Sequence, residues 1–247
     1  MRVLVCIDDT DNLESRGTGK LAAILAGQID QDGWGQSAFI TRHQLFVHPD
    51  IPYTSHNSSM CFAAEVPESG YGLLVDHAGD FLARESADGS DPGLCVVVLT
   101  RLADAERLCA FGRAAKSQVL TKQAAYALAH DLGIHLSEHG GTGQGVIGAL
   151  AGAGLRLGGN DGRMRGRLEI DAAGASRTVA ALLAHPLIDR VQTLEGEPLG
   201  AEERVELGGK VKTVLLDGKA VLLVVPQTLE GAAARWQTCP HEIIKTY

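Results

Sequence analysis

The chain opens with Met1-Arg2-Val3-Leu4-Val5-Cys6-Ile7-Asp8-Asp9-Thr10-Asp11-Asn12, and the switch from apolar to acidic at residue 8 organises the rest of the reading. Residues 2–7 are mostly apolar, so they predict a short buried first strand. Three carboxylates then fall within four residues, Asp8, Asp9 and Asp11. They repel one another unless they are solvated or neutralised. A hard cation such as Mg²⁺ takes oxygen ligands from one or two carboxylates and completes its shell with substrate phosphates. Thr10 and Asn12 add neutral oxygens. In open α/β sheets the ligand crevice lies beyond the carboxyl ends of the strands, where Asp8 sits if the first strand is parallel to its neighbours. The competing reading is an acidic turn held by side-chain caps. An EF-hand is excluded, because the DxDxDG spacing and the glutamate at the twelfth position are both missing.

Outward from this loop, the pattern alternates between helices and strands. Residues 20–29 (KLAAILAGQI) have helical spacing, 37–47 and 58–66 read as strands, and 71–85 as a helix. Residues 94–99 form a continuous apolar strand, expected to be central. Helices over 103–115 and 121–132 precede a glycine loop at 140–145, which opens onto a small-residue helix over 146–155. A helix near 178–184 and strands at 167–170, 188–193, 211–216 and 220–225 follow. The expected fold class is α/β (α+β), a mixed sheet with flanking helices. Two parts are expected, a nucleotide- and metal-binding domain over 1–155 and a smaller strand-rich part over 156–247 that is either separate or completes the same fold.

Composition narrows the class of function. The 247 residues carry net charge −8 with 4% aromatics and no Lys/Arg-rich run, which is not the profile of a protein that grips nucleic acid by itself. No apolar stretch is long enough to span a bilayer and no leader sequence is recognisable, so a cytoplasmic location with no membrane partner is expected. The five cysteines make no CxxC pair, which argues against a zinc ribbon or a thioredoxin-like motif. Those in apolar runs are expected to pack as small hydrophobes.

Three further segments carry candidate chemistry. Arg16-Gly17-Thr18-Gly19-Lys20 precedes a helix but fails the P-loop pattern, with Glu14 at the first glycine position and Leu21 after the lysine. A glycine-flanked helix start still suits a phosphate, so Lys20 is retained as a substrate candidate. Gly143-x-Gly145-x-x-Gly148 matches a dinucleotide fingerprint in letters, yet the segment before it, residues 134–137, is a poor strand. Close packing of a glycine-rich helix explains it equally. Backbone N–H groups over Gly141, Gly143 and Gly145 would suit a phosphate. Tyr53-Thr54-Ser55-His56-Asn57-Ser58-Ser59 is dense in donors, making His56 and Asn57 candidate substrate contacts. His139 is singled out among the histidines because it adjoins the glycine loop.

Taken in order, these pieces resemble the N-terminal catalytic region of the archaeal 2-agmatinylcytidine synthetases that modify an isoleucine tRNA. The resemblance rests on Val5-Cys6-Ile7-Asp8-Asp9-Thr10-Asp11-Asn12, Arg16-Gly17, Pro49-Asp50-Ile51-Pro52-Tyr53 and Asn57. It continues through Asp91-Pro92-Gly93 and Gly143-Gln144-Gly145-Val146-Ile147-Gly148-Ala149-Leu150-Ala151. It implies a kinase-like domain with a ferredoxin-like portion, using ATP as substrate and Mg²⁺. It also implies that Asp8, Asp9 and Asp11 hold the metal and act in catalysis, with Thr10 and the backbone of Gly141, Gly143 and Gly145 facing the nucleotide. The sequence departs from that family where Gly17 is followed by Thr18-Gly19-Lys20 instead of Cys-Thr-Thr. It ends before any OB-fold or zinc ribbon. Together with net charge −8, this leads to the expectation that the full tRNA modification is not carried by this chain alone. The leading expectation is therefore an ATP- and Mg²⁺-dependent phosphotransferase or nucleotide hydrolase of unknown acceptor, with an RNA or protein partner supplied in trans. A non-catalytic nucleotide-binding regulator or subunit is the alternative, and a dinucleotide-binding oxidoreductase the weakest. The sequence leaves the oligomeric state open.

Overall fold

In a computed structural model of the chain, described for residues 1–51, 57–166, 168–170, 173–227 and 234–247, two compact units form, Met1–Gly158 and Gly159–Tyr247. The first contains β1 (Arg2–Asp8), α1 (Thr18–Gln31), β2 (Gln36–Gln44), β3 (Ser58–Glu65), α2 (Tyr71–Glu85), β4 (Gly93–Val98), α3 (Ala105–Ala114), α4 (Lys122–Leu132), β5 (His135–Glu138) and α5 (Gly145–Gly158). Its strands lie in the order β5-β4-β1-β3-β2, and every neighbouring pair is antiparallel. The first strand is thus not parallel to its neighbours, and the crevice rule for parallel sheets does not apply to it. Residues β-branched or apolar on both faces explain why β1 and β4 are buried along nearly their whole length.

Each face of this sheet is covered by helices. Val3, Val5 and Ile7 of β1 pack with Leu21, Leu25 and Ile29 of α1 and with Leu74, Phe81 and Leu82 of α2. The alternate residues Leu4 and Cys6 face the other way. They pack with Leu108 of α3, Leu132 of α4, and Ala149 and Leu150 of α5. The period of two in the strand therefore assigns neighbouring residues to different helical layers. Cys6, Cys61 and Cys95 are buried free thiols in this second layer, in line with their expected role as small hydrophobes. Helix α2 has the bounds expected from its spacing, whereas α1 begins two residues earlier than expected, immediately after Gly17 (φ 82°, ψ 144°).

The second unit contains β6 (Arg163–Met164), β7 (Ser176–Thr178), α6 (Val179–Leu183), β8 (Arg190–Thr193), β9 (Arg204–Glu206), β10 (Val214–Leu216), β11 (Lys219–Pro226), β12 (Trp236–Thr238) and α7 (His241–Ile244). Its pairing is mixed: β11 runs antiparallel to β10 and β12 and parallel to β8, while β12 runs parallel to β9. The expected strand at 167–170 is not formed among the described residues. Leu168 instead gives its N–H to the Val211 carbonyl (3.2 Å) and packs in a core with Val191, Val205 and Leu222. Arg167 lies outside the described residues. No helix of the described residues is long and apolar enough to cross a membrane.

Candidate functional site

The acid loop leaves the end of β1 through Asp9, whose φ of 50° is in the left-handed region. That conformation costs a non-glycine residue roughly 1–2 kcal/mol, and such residues concentrate where function holds them. Thr10 is fixed next: its carbonyl accepts the Ala87 N–H (3.0 Å), and its hydroxyl is buried with no partner among the described residues. Asn12 closes the turn by accepting the Glu14 N–H at its side-chain oxygen (3.1 Å). The acid loop is therefore a built turn as well as a cluster of charge.

Two helices begin beside it, one from each layer. On one face α1 starts just after Gly17, where an added Cβ would sit 3.6 Å from Asp11 Oδ2. On the other face α5 starts at Gly145, whose N–H donates to the Asp91 carbonyl (3.0 Å). A Cβ on Gly145 would lie 3.0 Å from the Asp8 carbonyl oxygen and would run into the Asp91 carbonyl. One turn further along α5, a Cβ on Gly148 would collide with Asp8 Oδ2. Gly145 and Gly148 are thus required by close packing of α5 on the sheet. The parallel βαβ setting of a dinucleotide fingerprint is missing here, since β5 is antiparallel to β4.

The electrostatics follow from burial. Asp8 is buried, and desolvation, then the Asp9 charge, pushes its carboxyl up to about 8, opposed by a hydrogen bond from the Asp9 backbone. Desolvation, then the charges of Asp91 and Asp11, pushes Asp9 up to about 6. Four carboxylates therefore crowd one end of the sheet, facing the positive ends of two helix dipoles.

Asp91 is the member that the reading of the sequence did not assign to the site. Its signal was the Asp-Pro-Gly tripeptide entering β4. Its carboxylate accepts the Thr142 hydroxyl (2.7 Å) and the Thr142 N–H, fastening the glycine loop to the segment that enters β4. Lys122 holds the same loop from the other side, donating to the Thr142 carbonyl (2.8 Å) and to Glu138 (3.0 Å). Gly141 and Gly143 have φ of 56° and 75°. The N–H groups of Gly141, Gly143 and Gln144 donate to none of the described residues; Gly141 lies against Asp91 and Gly143 against Glu138.

Lys20 is exposed on the first turn of α1. Asn57 is occupied in the β2–β3 connection, donating from Nδ2 to the Phe46 carbonyl (2.6 Å) and accepting the Leu45 N–H at its own carbonyl (2.9 Å). The His139 ring packs against Gly79 of α2, and its Nε2 lies 2.8 Å from Ser137 Oγ. Burial lowers its pKa, and no contact joins it to the acid loop among the described residues. His56, with Pro52 and Tyr53 of the resemblance motif, lies outside the described residues.

Among the described residues no three His, Cys, Asp or Glu side chains are already gathered as a metal cage. The donor set instead fits a hard cation held by one or two carboxylates and completed by water and phosphate. The fold and site together define a mixed α/β protein with an acidic loop and a glycine loop facing each other at one end of a sheet. No family model and no curated protein matches the sequence.

Solved structures do match. A tRNA fluorescent labeling enzyme is 30% identical over 62% of this chain and 36% of its own, with a TM-score of 0.55. TiaS in complex with an isoleucine tRNA and ATP has the same identity, coverage and TM-score. Apo TiaS, an agmatidine synthetase for that tRNA, is 28% identical over 62% of this chain and 35% of its own, with a TM-score of 0.53. The chain thus spans about a third of the length of these proteins. The resemblance noted from the sequence holds in three dimensions.

Proposed function

We propose that the first unit binds ATP with Mg²⁺ between the acid loop and the glycine loop. We further propose that it performs phosphoryl transfer or nucleotide hydrolysis in the service of a tRNA-related reaction. The observation that carries this reading is the meeting of Asp8, Asp9, Asp11 and Asp91 with the starts of α1 and α5 at the end of β1. One or two of Asp8, Asp9 and Asp11 would hold the cation directly, and it would supply Lewis-acid stabilisation of charge on the phosphate oxygens when bound. The N–H groups of Gly141, Gly143 and Gln144, which have no acceptor among the described residues, suit phosphate oxygens, and Asp91 keeps that loop in place through Thr142. The Thr10 hydroxyl, buried with no partner among the described residues, offers one more ligand or donor. Similarity to TiaS, with a solved complex containing ATP and an isoleucine tRNA, supports the nucleotide and the RNA connection. Net charge −8 supports delivery of any RNA by a partner in trans.

Nucleotide binding without turnover is a second reading, in which the two loops hold the nucleotide and no phosphate is released. Calorimetry and a phosphate-release assay separate the two. Wild-type protein is expected to bind ATP in a Mg²⁺-dependent manner and to release phosphate, with both lost in Asp9→Asn. Binding without phosphate release would select the regulator. Unchanged ATP–Mg²⁺ affinity in Asp9→Asn would refute the site itself.

A further inference from the structure

Arg42 lies on β2, paired with Met60 of β3 and flanked by Thr41 and His43, which are fully buried on the opposite face. That parity puts Arg42 on the sheet face covered by α1, the helix whose first residues adjoin Asp11. Its Nε donates to Ser58 Oγ at 2.9 Å. Neither Nη group has a partner among the described residues. Asp11 is near enough for its charge to act on the guanidinium. The side chain is half-buried and pays for that burial, since desolvation lowers its pKa. A cation tethered at one nitrogen, partly desolvated and with both Nη groups open is arranged to receive an anion bidentately.

We propose that Arg42 grips the phosphates carried by the acid-loop cation, a role that rests on the nucleotide reading above. The chemistry favours phosphate over a carboxylate ligand. A free carboxylate would approach four aspartates, whereas a metal-bound polyphosphate arrives with its own countercharge and offers oxygens to both the cation and the Nη fork. Arg42 would meet the phosphates from the α1 side of the sheet, whereas the glycine loop lies on the α5 side. The discrimination it confers is between nucleotides with a polyphosphate and those without.

The test is calorimetric titration of wild type, Arg42→Gln and Arg42→Lys with ATP–Mg²⁺ and with AMP, with a thermal melt of each free protein. Arg42→Gln is expected to weaken ATP–Mg²⁺ by about tenfold to a hundredfold, the range for a charged hydrogen-bonding group. AMP affinity is expected to stay at the wild-type value, which also reports that the site is folded. Arg42→Lys restores only part of the loss, because an ammonium keeps the charge but not the fork. Ser58→Ala, which frees the Nε tether, is expected to give a smaller loss of the same kind. Wild-type ATP–Mg²⁺ affinity in Arg42→Gln, or equal losses for ATP and AMP, would overturn the role of Arg42 while leaving the nucleotide site standing. No ATP–Mg²⁺ binding by wild type would overturn the nucleotide reading and this role with it.

Discussion

Replacing Gly148 with alanine tests whether the start of α5 is shaped around Asp8. The new methyl group would collide with Asp8 Oδ2 and would lie 2.6 Å from its Cγ and 3.1 Å from Leu45 Cδ1. Both neighbours are buried, so neither has room to swing away. Overpacking of this kind costs about 1–3 kcal/mol, offset by about 1 kcal/mol from the better helix propensity of alanine. The expected net change runs from near zero to about 2 kcal/mol of destabilisation. Gly27, inside α1, is the internal control, because a Cβ there meets nothing within 4 Å. Gly27→Ala should therefore gain up to about 1 kcal/mol, or roughly 2–4 °C in melting temperature. The two variants make the same chemical change in a helix, so a gap of about 1–3 kcal/mol between them isolates the contact with Asp8. Displacing that carboxylate should also weaken ATP–Mg²⁺ binding in Gly148→Ala and leave it intact in Gly27→Ala. Thermal melts with and without ATP–Mg²⁺ read both effects. If Gly148→Ala is stabilised as much as Gly27→Ala and keeps its ligand-induced shift, the close approach of α5 to Asp8 is refuted.

Two other predictions follow from the same loop. With Asp8 pushed up to about 8 and Asp9 to about 6 against an ordinary value of 3.8, the folded metal-free chain holds more protons than the unfolded one between these values. This contribution to stability is present at about pH 4 and is lost as pH rises to about 8, whereas cation binding requires the ionised forms and strengthens over the same range. The thermal shift produced by Mg²⁺ should thus be larger at about pH 8 than at about pH 6, and an equal or reversed shift would refute the protonation argument. Asp91→Ala removes both acceptors of Thr142 and should cost about 1–3 kcal/mol in ATP–Mg²⁺ affinity by releasing the glycine loop. Calorimetric affinity equal to wild type would show that the loop is held without it.

Legibility in the sequence tracked the length and regularity of each element. The helix over Tyr71–Glu85 was readable because its apolar spacing is sustained over the whole element, and β1 and β4 because their apolar runs are continuous. Strands β7, β9 and β12 are three residues each, too short for an alternation to register. Their existence depends on pairing with partners distant in sequence, Arg177 with Val205 and Trp236 with Val205 among them. The expected strand at 167–170 failed for the complementary reason: Leu168 found a core without entering a ladder. Arg42 gave no sequence signal at all, being one arginine in an otherwise ordinary strand.

The sequence by itself determined the elements and the acidic turn, because apolar periodicity and the abrupt change at Asp8 are local properties of the chain. It also narrowed the use of that turn, since no local apolar pattern can bury three neighbouring carboxylates at no cost. Only the tertiary structure decided the direction of β1, which is antiparallel to both neighbours. Strand direction is fixed by how connections close in space, and no single segment encodes it. Tertiary structure likewise resolved the ambiguity of the glycine segment. Gly145 and Gly148 are small because Asp91, Gly93 and Asp8 lie against them, residues far away in the chain. It is this long-range packing that brings Asp91 and Thr142 to the acid loop and turns a local cluster of charge into a candidate site.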